Sequence, residues 1–285
     1  MRTSTRIDSL QEQQARNRYF TEEASYWEEI YQRQGVKDFV HQQRLRLTLD
    51  MIDRTCSPVG SRILDVGCGA GMAATALAEK HYIVNAIDPV QAMVDLTCAR
   101  AKNRGVEDRV LSGLGDVCSL PFTDNTFAIV ISLGVLPWLA SINEPLNEIH
   151  RVLKPDGFAI LTVDNMWALR WFLDPLTNPL FRPAGEFAKS LFRRLSHREP
   201  RARWHSVSCA KFDMALKSAR LDKVYSTTLG FGPFTCFYRE LLPRRAGLKL
   251  HRAMQYLSDR SLPMLRRSGS HYLVLATKRA ETSLE

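Results

Sequence analysis

No two cysteines of this chain stand in a C-x-x-C pair, and none has a histidine at metal-ligand spacing; the six, at positions 56, 68, 98, 118, 209 and 236, read as reduced packing residues. A structural zinc site and a redox pair are thereby excluded, and no metal is expected. No apolar run reaches the length that crosses a bilayer, and the opening MRTSTRIDSLQEQQARNRYF lacks the apolar core of a signal peptide. A cytoplasmic location is the expectation. No recognisable nucleic-acid-binding module is joined to the chain. What is present is ordinary for a globular protein: 285 residues, 45% hydrophobic and 24% charged, enough for a core domain carrying a lid. The net charge of +9 and pI near 9.4 admit anionic substrates, nucleic acid or a membrane surface without selecting among them.

The densest signal is RILDVGCGAG at positions 62–71. Ile63, Leu64 and Val66 read as the end of a buried parallel strand, and a helical pattern opens at Ala73. Between them Gly67, Gly69 and Gly71 offer backbone that can take positive φ or lie against a ligand, and the helix start offers unpaired N–H groups. Two nucleotide readings compete. A dinucleotide fingerprint can be forced from Gly69 to Ala74, but it slides off the strand end. The alternative includes Asp65, an acid poorly placed for pyrophosphate and well placed for a cationic amino-acid end.

Along the chain, residues 1–18 are polar and expected to fray, and the aromatic-rich stretch Tyr19 to Tyr31 reads as a helix ended by Gly35. That helix either packs on the fold or caps a cleft. A second helix spans 41–55, with Leu45, Leu49 and Ile52 on one face. YIVNAID then forms a strand ending at Asp88, whose carboxylate can accept from both hydroxyls of a ribose. A helix with Met93, Leu96 and Ala99 inward follows, and a third strand leads to Asp116. FAIVISL is the clearest buried strand, GVLPW lies at its carboxyl end, and LKPDG reads as the turn into FAILTVDN. Beyond Asn165 the alternation breaks into an aromatic and basic insertion. KVYSTTLG and HYLVLATK close the sheet around a helical excursion at 247–259.

The run Asp65-Val66-Gly67-Cys68-Gly69-Ala70-Gly71, Asp88, Gly115-Asp116, the segment Pro121 to Phe127 and Leu153 to Gly157 together resemble the class I S-adenosylmethionine (SAM) dependent methyltransferases, closely over residues 60–165. The resemblance implies an α/β fold with a doubly wound, mostly parallel seven-stranded sheet. It divides the chain into an N-terminal helical cap at 1–56, a SAM-binding core at 57–165, a lid at 166–206 and the rest of the core at 207–285, with helical insertions after strand five and between strands six and seven. It also implies SAM as cofactor and S-adenosylhomocysteine as product. On the family's pattern Gly67, Cys68, Gly69 and Gly71 surround the methionine part. Asp65 and the Leu133 carbonyl face its amino group, Asp88 the ribose and Asp116 the adenine, and Pro89 and Val117 are further cofactor-binding candidates.

No motif names the acceptor. Tyr19, Tyr26, Trp138 and Asn165 are the candidate substrate contacts. Of His41, His150, His197 and His205, each a base by type, His205 leads because it lies in the insertion. The expected reaction is methyl transfer to a small or lipid-linked molecule, at oxygen. A nucleic-acid (RNA) methyltransferase is the first rival, motivated by the basic tract at 190–205. It lacks support because Gly-Val-Leu-Pro-Trp replaces the Asn/Asp-Pro-Pro-aromatic motif that holds a base amino group. A non-catalytic interaction protein is the second rival, and the three strand-tip acids argue against it. Arginines beside aromatics at 166–203 further suit peripheral contact with an anionic membrane.

Overall fold

The computed structural model describes residues 2–30, 35–174, 178, 204–237, 239–260 and 265–279, with side chains from residue 12 onward. Nine strands form among the described residues: β1 (Arg62–Val66), β2 (Ile83–Asp88), β3 (Val110–Leu114), β4 (Phe127–Ser132), β5 (Leu153–Asp164), β6 (Leu221–Leu229), β7 (Thr235–Cys236), β8 (Arg239–Glu240) and β9 (His271–Lys278). Seven make one sheet in the order β3-β2-β1-β4-β5-β9-β6, and β7 with β8 makes a small hairpin. The first five strands are parallel, and β9 runs antiparallel to both β5 and β6.

Two cores explain why the apolar runs in these strands are unbroken. Alternate residues point to opposite faces, so Ile63, Ile129, Ile131, Ile160 and Leu273 enter one core while Leu64, Val130, Leu161 and Val274 enter the other. The first core is covered by the helices α3 (Val36–Arg54) and α4 (Met72–Glu79). The second is covered by α6 (Asn143–Val152) and the helix Cys209–Ser218. A sheet covered on both faces needs apolar side chains at every position, and each full burial contributes about 1.5–3 kcal/mol.

Several expectations change. Residues expected to fray are helical from Arg2 to Glu22 (α1), because Arg16 and Gln13 reach across to Trp138 and Asp116. A second short helix, α2 (Ala24–Glu29), follows. Gly35 does not end it: Gly35 precedes α3, where its N–H donates to Asp38 Oδ2 at 2.7 Å. LKPDG lies inside β5, with Asp156 at φ 60° and a register shift against β4 between Phe127 and Ile129. Helix α5 (Gln91–Asn103) buries Met93, Val94, Thr97 and Ala101, and Ala99 is exposed. Its inward face is set by the glycine turn: Thr97 Oγ1 donates to the Gly69 carbonyl at 2.9 Å, and Arg100 Nε to the Ala70 carbonyl at 2.7 Å. The excursion before β9 is the helix Arg244–Asp259. Of the insertion after β5, α7 (Leu169–Leu173) is described, and most of the aromatic and basic stretch lies outside the described residues.

Gly71 caps α4 at φ 74°, and a Cβ there would stand 2.9 Å from the Thr97 Cα, where backbone cannot swing aside. Gly71→Ala is expected to lower the unfolding free energy by about 2 kcal/mol in urea melts.

Candidate functional site

The strand order reverses at β1, whose neighbours are β2 on one side and β4 on the other, and open α/β sheets bind ligands at the carboxyl ends of the strands at such a point. An open cleft lies there. Its floor is the turn from β1 to α4, built by local bonds. The Gly67 and Cys68 amides donate to the Ile87 carbonyl at 2.7 and 3.0 Å, and Gly67 at φ 71° has Val135 so close that a Cβ would collide with it. Gly69, at φ 54°, faces open space, leaving room for a ligand against the backbone.

Three acids stand around this floor. Asp65 is 2% exposed, and its Oδ2 is buried without a hydrogen-bond partner. Burial, and then the neighbouring Asp88 carboxylate, push its pKa up to about 7, although the Ala74 amide and the Arg44 guanidinium pull the other way. Asp88 accepts from the Gly69 amide at 3.1 Å and the Val90 amide at 3.0 Å. These bonds fix its orientation but only partly offset its burial, which raises its pKa to about 6. Asp116 accepts from the Cys118 amide at 2.9 Å and from Gln13 Nε2 at 3.3 Å, so α1 reaches one edge of the cleft. Arg16 ties the same helix to the other edge by donating to the Trp138 carbonyl at 2.7 Å.

Asp65, Gly67, Cys68, Gly69, Asp88, Pro89, Asp116, Val117, Leu133 and Trp138 all line the cleft. Gly71 does not; it supports the turn from behind. Tyr19 stands beside the cleft, its ring 5.5 Å from that of Trp138, and Tyr26 packs one step further out against Trp27. Asn165 is fully buried away from the cleft. Its amide donates to the carbonyls of Arg267 and Gly269 and its Oδ1 accepts from the Trp167 amide, a purely structural set of bonds. His205 is exposed; its backbone N–H donates to the Pro137 carbonyl, and it borders a separate hollow with Ser206, Lys211 and Ser218. His150 lies in α6, and His197 lies outside the described residues.

Arg44 and Arg16 were not singled out by motif, yet both line the cleft. Arg44 is 6% exposed, its Nε has no partner, and a Cβ on Gly134 would lie 2.7 Å from its guanidinium. The one available signal is position: Arg44 falls between Val40 and Thr48 on the buried stripe of α3, where a charge needs a reason.

Residues 64–161 match the family described as Methyltransferase domain. The chain is 30% identical over 113 residues to the methyltransferase GfsG of Streptomyces halstedii, and 33% identical over 103 residues to the ubiquinone biosynthesis O-methyltransferase of Rickettsia conorii. These stretches cover 39% and 36% of this chain but only 41% and 35% of those proteins, so the core is what is shared. The solved structure of the cyclase SpnF superposes with a TM-score of 0.54 at 22% identity, covering 83% of this chain and 81% of that one. That likeness is one of fold alone. Among the described residues, no helix is long and apolar enough to cross a membrane, and no group of histidine, cysteine and acidic side chains is placed to hold a metal ion.

The raised pKa of Asp65 has a definite sign. Between its ordinary value of 3.8 and about 7 the folded chain holds a proton that the unfolded chain has lost, so this group's contribution to stability falls as pH rises through that window. Asp65→Asn is expected to raise the unfolding free energy of the ligand-free protein by about 2 kcal/mol near pH ~8 and by less than half as much near pH ~5, as read by urea melts.

Proposed function

We propose that the chain, whose residues 64–161 match the Methyltransferase domain family, is a class I SAM-dependent methyltransferase that binds SAM and transfers its methyl group to the oxygen of a small or lipid-linked acceptor. The observation that carries the cofactor reading is the unpartnered, buried oxygen of Asp65 beside the open backbone of Gly69. A cationic amino group relieves that carboxylate; a pyrophosphate would meet it with like charge. The Leu133 carbonyl is the second acceptor for the same group. Arg44, buried and close enough for its charge to act on Asp65, supplies the counter-charge for the methionine carboxylate. Asp88 keeps lone pairs free on both oxygens after its two backbone bonds, enough to accept from a ribose diol. Asp116 and Val117 face the adenine, whose amino group competes with Gln13 for the Asp116 carboxylate.

When bound, the cofactor supplies a methyl group already activated by its sulfonium. The chain's own work is alignment and exclusion of water. Phe20, Trp27, Trp138 and Leu139 wall the cleft with apolar surface, and α1 is tethered across it by Arg16 and Gln13. His205 has no part in this reading, because it lies in the other hollow. The lipid-linked option rests on the sequence alone, on the arginines and aromatics of the segment that follows β5.

Isothermal calorimetry is expected to detect binding of SAM and S-adenosylhomocysteine, with Asp88→Ala weakening both by about 1.5–3 kcal/mol. Asp65→Asn should weaken the same ligands even though it stabilises the free protein. A thermal shift with NAD or NADP equal to that with SAM would overturn the choice of cofactor.

A further inference from the structure

Past Arg44 the cofactor cleft meets a second polar cluster. It lies between α2 and α3 on one side and the ends of β5 and β9 on the other, and comprises His41, Arg44, Asp164, Arg170 and His271, with Trp27 against it. The Trp27 ring is 5.6 Å from that of His41, which is 6.1 Å from that of His271. His271 Nδ1 is hydrogen-bonded to Asp164 Oδ1 at 2.8 Å, and the Arg170 guanidinium lies 4.2 Å over the Trp171 ring. Four nitrogens here are buried with no hydrogen-bond partner: Trp27 Nε1, His41 Nδ1, Arg44 Nε and Arg170 Nε.

The chemistry of this set is lopsided. Indole and guanidinium nitrogens only donate, so three of the four orphans cannot satisfy one another. Asp164 is the cluster's only carboxylate, and one of its oxygens is held by His271. Burying donors without acceptors is costly, and natural interiors avoid it unless something arrives to meet them. The cofactor's carboxylate answers Arg44, which lines the cleft. Arg170 lies outside the cleft lining, and its Nε still lacks a hydrogen-bond partner although its charge acts on Asp164.

We propose that this inner cluster receives an oxyanion carried by the methyl acceptor, a carboxylate or a phosphate, held by Arg170 and the Trp27 N–H. The acceptor's apolar body lies along the rings of Phe20, Trp27 and Trp138 toward the cofactor. This deepens the function proposed above, and it rests on that reading for the identity of the neighbouring site.

The test is calorimetric titration of the full chain saturated with S-adenosylhomocysteine, using benzoate, phenyl phosphate and benzamide as probes of one shape. At least one anion is expected to bind about tenfold or more tighter than the neutral amide. A response to benzoate alone identifies a carboxylate, and a response to phenyl phosphate alone identifies a phosphate. Arg170→Gln should weaken the anion about tenfold or more while leaving S-adenosylhomocysteine affinity unchanged. Trp27→Phe, which keeps a ring and removes the N–H, should weaken it by a smaller factor, with far-UV circular dichroism confirming that both variants fold. Benzamide binding as tightly as the anions, no anion binding up to about 10 mM, or full affinity in Arg170→Gln would each overturn the proposal and assign the orphaned nitrogens to water. If S-adenosylhomocysteine itself fails to bind, the cofactor reading falls, and the same anion titration on the free protein still decides the inner site.

Discussion

Asp65 is an acid at the tip of a parallel strand, out of water and with one oxygen unanswered, and much of the surrounding structure serves to keep it so. The turn after β1 can pass beneath it only because Gly67, Gly69 and Gly71 take positive φ. Thr97 and Arg100 of α5 pin that turn from behind through the Gly69 and Ala70 carbonyls. Asp88, the second strand-tip acid, is locked by the Gly69 amide and adds like charge. Such an arrangement costs folding free energy in the absence of a cation, the expected signature of a site built to receive one.

The charged groups differ in environment. Asp116 is half-buried and bonded to Gln13, Asp65 and Asp88 are buried with raised pKa values, and Arg44 and Arg170 are buried cations. Asp164, although buried, is held below its ordinary carboxyl range because His271, Arg170 and Arg44 outweigh its desolvation. On the function proposed above, the nucleoside meets Asp88 and Asp116, the cationic centre meets Asp65, and anionic oxygens meet the arginines.

What the sequence disclosed follows from how each feature is encoded. The five parallel strands are legible because a doubly covered sheet demands continuous apolar runs, and the glycine turn is legible because positive φ restricts residue choice. The strand-tip acids come with them. Helix α1 is not legible: its surface is polar, and what holds it is contact with Asp116 and Trp138, more than one hundred positions away. The same applies to the pair Asp164 and His271, which antiparallel pairing of β5 with β9 places opposite one another across 107 positions. His205 and Asn165 are candidates by residue type and place; the structure sets His205 on the surface beside another hollow and Asn165 in backbone bonds that join the end of β5 to the segment before β9.

If SAM binds as proposed, Asp65, largely protonated in the free protein below neutral pH, ionises when the cationic amino-acid end arrives. Proton exchange on binding tests this directly. Titrating S-adenosylhomocysteine into the protein near pH ~6, in buffers of differing ionisation enthalpy, should show net release approaching one proton per ligand, and Asp65→Asn should abolish most of that release. Binding without proton release, or release undiminished in Asp65→Asn, would contradict the account.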